Sequence, residues 1–297
     1  MANLALVTQS TTHAAYTATR NALTGLGHSV AGFNMSAVTA VNLAGFDAII
    51  AARAQSSDAS HATFAGHVAS YFAAGKPILI GFDAIAATQN DRGGLATLLK
   101  LIGSESIALG RGPVYRASAA HPLWTPASIT PPADYSPIPT ATFGGRVNTT
   151  PAFAGSVIER VSSTDDTPTI IVAEKGALNT EGNPFPARIA YVGWLYGATD
   201  YTTAGKAVLG GLISWAIATP WYILGTVKDS TTSPLARVVR AYNRASGMIM
   251  GSTISDAVTG AFKIEVPAMA ADYYVVALDE EGGTQNAQIY DRVVSSS

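Results

Sequence analysis

The stretch Gly75-Lys76-Pro77-Ile78-Leu79-Ile80-Gly81-Phe82-Asp83 constrains the chain most. Its apolar run is short and is punctuated by Gly and Pro, so it reads as a fully buried strand at the centre of a sheet. In open α/β sheets ligands and reacting groups gather beyond the carboxyl ends of the strands, which makes the turn at Phe82 and Asp83 the place to look for a nucleophile. Neither Cys nor Ser stands there.

The surrounding segments repeat the pattern. Leu4 to Val7, Ser29 to Phe33 and Phe46 to Ala51 read as strands. Thr11 to Leu26 reads as a helix with Ala18, Ala22, Leu23 and Leu26 at helical spacing, and Ser60 to Ala74 as another with Phe64, Val68, Tyr71 and Phe72 on one face. Connections too long for hairpins predict an α/β fold with a mainly parallel, flavodoxin-like sheet and helices on both faces. Gly94 to Leu101 reads as a short helix, and Gly110 to Gly155 as a long irregular stretch, of the kind that serves as a functional loop or orders against a partner. Val157 to Val161 and Thr169 to Glu174 read as antiparallel strands, Ile189 to Val192 as a buried strand and Thr203 to Ala218 as a closing helix. Pro220 biases Thr219 away from helical geometry and sets the boundary between domains at 1–220 and 221–297. Beyond it, closely spaced alternating runs at Leu224 to Lys228, Leu235 to Asn243, Met248 to Ser252, Ala261 to Val266, Tyr273 to Leu278 and Gln288 to Val294 predict a small all-β sandwich.

Composition narrows the function. With 297 residues the chain can bury a sizeable core, and with only 13% charged residues its surface is either covered by partners or simply Ala-rich. A net charge of −2 without a basic run argues against nucleic acid as a partner. The absence of Cys excludes disulfides, thiolate metal sites and a Cys nucleophile, and the five His show no metal-ligand spacing, so no metal or cofactor is expected. No export signal is visible at Met1 to Val7, and Val208 to Ala218 falls well short of the roughly twenty apolar residues that span a bilayer, so membrane insertion is not expected.

The first domain, over roughly residues 3–218, resembles the class I glutamine amidotransferase-like fold in its trehalose-utilisation-like branch. The likeness rests on the β-α order, on Gly75 to Leu79, and on Ala187-Arg-Ile-Ala-Tyr-Val-Gly-Trp194 leading to Ile213-Ser-Trp-Ala216. In that family the strand runs into Gly-Ile-Cys-Gly, and a later His-x-Glu activates the Cys. Here Ile80-Gly81-Phe82-Asp83 stands in its place and no His-x-Glu occurs, so the resemblance implies the fold without the acyl-transfer chemistry. The second domain resembles carboxypeptidase regulatory-like, prealbumin-type modules through Gly225 to Asp229, Val238 to Tyr242 and Thr259 to Ile264. Tyr273 to Asp279 and Asn286 to Val293 are similar to the C-terminal modules of tailed-bacteriophage virion proteins.

Candidate site residues each carry two readings. Gln9, Arg53 and Asp83, with His121, could line a crevice at the carboxyl ends of the strands that takes a sugar or a carboxylate. Alternatively they are loop residues beside helix caps, with Ser10, Thr11 or Thr12 capping the first helix and Asp58 or Ser60 the second. His121, in a His-Pro segment similar to one in this fold branch, is either a base near neutral pH or a loop residue satisfying backbone groups. Asp165-Asp166 reads as a solvated turn rather than an acid/base pair. Asp279, Asp291 and Arg292 read as an ion-pair group rather than a Ca²⁺ site, while Arg237 and Arg240 face outward on a sandwich face suited to docking another subunit. Trp194, Tyr196, Trp215, Trp221 and Tyr222 form either a carbohydrate platform or domain packing.

These readings lead to the expectation of a non-enzymatic structural protein of a bacteriophage virion, made in the bacterial cytoplasm. Tail or baseplate is the expected position and capsid decoration the second, with other virion proteins and copies of itself as partners. The alternative is a carbohydrate-binding or carbohydrate-acting protein, as a receptor-binding adhesin or hydrolase using the crevice, for which a host-surface glycan is the partner.

Overall fold

The computed structural model describes residues 1–8, 10–53, 60–81, 95–102, 107–110, 113–116, 121–124, 134–139, 144–147, 153–195, 200–218, 221–245, 247, 249–266, 272–278 and 288–293. The chain forms two compact units, Met1–Ile217 and Ala218–Ser297.

The first unit runs β1 (Asn3–Thr8), α1 (Ala14–Gly25), β2 (Ser29–Asn34), α2 (Ala40–Leu43), β3 (Ala48–Arg53), α3 (Ser60–Ala73), β4 (Ile78–Gly81), α4 (Leu95–Leu98), β5 (Ile107–Gly110), β6 (Val114–Arg116), β7 (Asp134–Tyr135), β8 (Gly144–Val147), β9 (Ser156–Arg160), β10 (Pro168–Ala173), β11 (Ile189–Val192) and α5 (Thr203–Ile217). Nine strands form one sheet in the order β2-β1-β3-β4-β11-β10-β9-β6-β7. From β2 to β11 every pairing is parallel, in the flavodoxin-like order, and from β11 outward every pairing is antiparallel. β5 and β8 pair separately.

Strand alternation decides which core each side chain joins. Ala5, Val7, Ile78, Ile80, Ile189 and Tyr191 face one layer with Phe64, Val68 and Phe72 of α3. Leu4, Leu6, Leu79, Ala190 and Val192 face the other with Leu23 of α1 and Val208, Leu212 and Ile213 of α5. β4 is buried at all four positions and lies between β3 and β11, as its apolar run predicts. Gly75, at φ +80°, turns the chain into it, a conformation that a Cβ would strain. Gly211 of α5 serves packing: a Cβ there would stand 1.9 Å from the carbonyl oxygen of Leu123. Its absence lets the short 3-10 turn Pro122–Trp124 lie directly on the helix.

Three expectations are corrected. The first helix begins at Ala14, and its cap is His13, whose Nδ1 accepts from the Ala15 N–H at 3.2 Å. Ser10 and Thr12 do not cap it because their hydroxyls bond each other at 2.8 Å, and the Thr11 N–H donates to Asn34 Oδ1. The helix at Gly94 to Leu101 is the single turn Leu95–Leu98. The stretch 110–155 contains β6, β7 and β8, strands of two to four residues too short to show any period in sequence.

The second unit contains β12 (Trp221–Thr226), β13 (Val238–Asn243), β14 (Ile249–Ile254), β15 (Ala261–Val266), β16 (Tyr273–Ala277) and β17 (Gln288–Val293). β12 pairs with β15, and the other four form a sheet in the order β14-β13-β16-β17. Ile223, Val239, Ala241, Phe262, Ile264, Tyr273 and Val275 fill the core between them. Two connections are folded by an aspartate. Asp229 accepts from the Thr231 hydroxyl and from the N–H groups of Thr231 and Ser233, and Asp256 from the N–H groups of Val258 and Thr259. These bonds favour the ionised form and hold both carboxyls below the usual range.

Candidate functional site

Arg53 closes β3 at the carboxyl end of the parallel strands, where the crevice is expected. Gln9 and Asp83 lie outside the described residues, as do Phe82, Asp58 and Tyr196. His121 does not join Arg53. It sits at the opposite end of the sheet, because the turn that carries it packs on the last turns of α5, which run back to the amino ends of the strands. There its ring meets Trp215 edge-on at 5.5 Å, and its Nδ1 accepts from the Leu123 N–H at 3.4 Å. Of the four expected crevice residues, the two that are described, Arg53 and His121, therefore lie at opposite ends of the sheet.

Around His121 the structure builds a charged cluster. Glu174 follows β10 and Arg188 precedes β11, so antiparallel pairing brings them to one level. Arg188 Nε donates to Glu174 Oε2 at 2.7 Å, Arg188 Nη1 to the Trp215 carbonyl at 2.7 Å, and Trp215 Nε1 to Glu174 Oε1 at 2.7 Å. The carbonyl belongs to the last turn of α5, so Arg188 also satisfies a helix terminus. Burial pushes the His121 imidazole down to about 4, with Glu174 pulling it up and Arg188 pushing it further down. At neutral pH it is uncharged and serves as the acceptor that fixes its own turn.

At the carboxyl end of the strands lies a second carboxylate that no spacing in the sequence singles out. Pairing between β9 and β10 slips, with Glu159 opposite Ile170 and Val157 opposite Ile171, which makes Ile158 the extra residue of a bulge. The bulge puts Glu159 on the same face as Ile170, wholly buried. Its Oε1 accepts from Thr169 Oγ1 at 2.7 Å and from Trp194 Nε1 at 3.0 Å, and its Oε2 accepts from the Tyr135 hydroxyl. Arg116 lies over the Trp124 ring at 4.3 Å and acts electrostatically on Tyr135. Burial dominates and raises the Glu159 carboxyl to about 7, against three hydrogen bonds that favour its ionised form.

Trp194 and Trp215, two of the five aromatics that suggested a platform, are thus buried inside the first unit, each donating to a carboxylate. Asp166 pairs with Arg160 at the surface and Asp165 accepts from the Thr167 N–H, which makes their turn structural. Among the described residues no group of acidic or His side chains could hold a metal, and no helix is long and apolar enough to cross a membrane.

In the second unit the alternation on the four-stranded sheet fails outward. Val239 and Ala241 point in, as the core requires, but Val238, Ile249, Ile254 and Ile289 point out with exposures of 38%, 55%, 68% and 67%. Tyr242 and Tyr274 stack beside them, ring centroids 4.9 Å apart. Arg240 lies opposite Ser252 and Val276 in the middle of this face, and Arg237 precedes β13, its N–H donating to Ser255 Oγ. Asp291 pairs with Arg244 Nη1 at 2.8 Å. Asp279 lies outside the described residues, and of Arg292 only its place in β17 is described.

No protein-family model and no curated protein sequence matches the chain. Among solved structures it is similar to the cytoplasmic protein STM3548 from Salmonella typhimurium, at 10% identity and a TM-score of 0.47 over 72% of this chain and 98% of that one. It is also similar to the cytoplasmic protein STM1381 from Salmonella typhimurium LT2, at 12% identity and a TM-score of 0.45 over 67% of this chain and 88% of that one. A ThuA-like protein from Bacteroides uniformis is similar at 11% identity and a TM-score of 0.45 over 72% of this chain and 90% of that one.

Proposed function

We propose that the chain is a non-enzymatic structural protein that acts through assembly, in a tailed-bacteriophage virion at the tail or baseplate. The observation that carries this reading is the outer face of the β14-β13-β16-β17 sheet, where Val238, Ile249, Ile254 and Ile289 stand in water. An exposed apolar sheet face of this extent costs solubility unless a partner covers it. The first unit adds support of another kind. Residues Phe82 and Asp83 follow β4 where the resembled family has its nucleophile, and the chain has no Cys to take that role from elsewhere. Buried Glu159 and half-buried Glu174 both bond side chains of their own unit, which suits a rigid scaffold.

Peptide mass spectrometry of purified, nuclease-treated particles tests the setting. The expected result is recovery of the chain in stoichiometric amount with other tail proteins. Particles that lack it, made by a host expressing it, would overturn the virion assignment.

A further inference from the structure

Resting on that assembly reading, we propose that the outer face of the β14-β13-β16-β17 sheet docks on the same face of a second copy of this chain, as a two-fold pair. Three properties of the face point to self-pairing. Its apolar content is spread over three strands rather than gathered in a groove: Ile249 and Ile254 lie on β14, Val238 on β13 and Ile289 on β17, with the stacked Tyr242 and Tyr274 between. A flat surface of this kind fits another sheet face, and sheets pack face to face about 10 Å apart.

The second property is charge. Arg240 lies in the middle of the face and Asp291 on the outermost strand, β17. A two-fold axis passing between them brings Arg240 of each copy to Asp291 of the other, so one patch supplies both halves of two ion pairs. The existing Arg244 contact does not prevent this, because a carboxylate has about four lone-pair sites and can accept from two guanidinium groups. Paired in this way, Arg240 meets an acid instead of being pressed against apolar side chains alone.

The third is size. Four strands of five or six residues span roughly 19 Å by 20 Å. The footprint, on the order of 400 Å², is below the roughly 800 Å² per partner of a standard stable interface. The pair is therefore a weak, reversible contact with a Kd in the micromolar range or above, suited to units held close together by a larger assembly.

Sedimentation velocity of the full chain over a hundredfold concentration range tests this. Wild type is expected to pass from monomer to dimer, and Ile254→Thr and Ile289→Thr each to raise Kd about tenfold. Both side chains stand in water, so these variants keep the fold. Arg240→Asp and Asp291→Arg each weaken the pair, and the double exchange restores it. A wild type that stays monomeric throughout overturns self-pairing, as does a dimer indifferent to all four single changes. Failure here and failure of the assembly reading are separable: a monomeric chain recovered from particles loses only the second copy, whereas a dimeric chain absent from particles loses only the virion.

Discussion

The nine-stranded sheet holds one carboxylate near each end, Glu159 buried and Glu174 half-buried, and the two are kept in opposite ways. Glu174, at the amino ends of the parallel strands, accepts from the Arg188 guanidinium and the Trp215 indole. Glu159, at the carboxyl ends, accepts from a phenol, a hydroxyl and an indole, all neutral. Where a cation is in contact, the carboxylate is held as half of a charged pair. Where the three hydrogen-bond donors are neutral, desolvation outweighs their bonds and the proton is retained up to about 7. The same chemical group thus meets a cation at one end and three neutral donors at the other.

Breaking the charged end should have the largest effect. Arg188 is 4% exposed, and Arg188→Met removes the cation from Glu174, which keeps only the Trp215 indole as a donor, and the guanidinium donor from the Trp215 carbonyl. Removing one partner of a buried pair costs about 3 kcal/mol or more, and Glu174, which is partly exposed, places this case at the lower end. Urea unfolding followed by Trp fluorescence should show that loss. A change below about 1 kcal/mol would mean that Glu174 is solvated well enough to need no partner, and the contrast between the ends would fail.

Glu159 gives the next effect, with a sign opposite to that of an ordinary acidic residue. The folded state holds this proton to about 7, while the unfolded chain releases it near 4.5. The stability it contributes is therefore full below 4.5 and is lost as pH rises through 7, by roughly 3 kcal/mol in all. Glu159→Gln cannot titrate. The stability of the variant relative to wild type should climb steadily from pH 4.5 to 7.5 and then level off, whatever its constant offset. A flat difference over that window would show that Glu159 is ionised throughout and is held by Arg116 in the way Arg188 holds Glu174.

How far these ends could be read from sequence follows from their geometry. The parallel core was legible because β1, β3, β4 and β11 are buried on both faces and so appear as unbroken apolar runs. The bulge that turns Glu159 inward has no local signature: in Val157 to Val161 either face of a regular strand would carry one charged residue, Glu159 or Arg160. The three donors to Glu159 stand 24, 10 and 35 residues away, on segments that include the two-residue β7. An acid inside an apolar run was the available signal. His121 was legible as a residue that satisfies backbone groups, but its end of the sheet was not, because that depends on Gly211 letting the 121–124 turn onto α5. In the second unit the adjacent Val238 and Val239 look alike in sequence, and the structure turns Val239 in and Val238 out; outward Val, Ile and Tyr look no different from a second buried face.

The smallest effect tests whether the two ends offset each other. His121 is half-buried and titrates near 4 in the folded state against 6.5 in the unfolded chain. A base pushed down in this way contributes stability that is present above 6.5 and is lost as pH falls through 4, so between 4.5 and 6.5 its slope runs against that of Glu159. Because the residue as a whole is only half-buried, its share is about 1–2 kcal/mol, less than that of Glu159. Wild type should therefore have a shallow stability profile across this window. His121→Asn, whose Oδ1 can still accept from the Leu123 N–H, should steepen the profile, with the protein more stable at pH 5 than at pH 6.5. The double variant with Glu159→Gln should restore a shallow profile. If His121→Asn follows wild type at every pH, the ring is solvated enough to titrate normally, and the proton-linked behaviour of the sheet belongs to the Glu159 end alone.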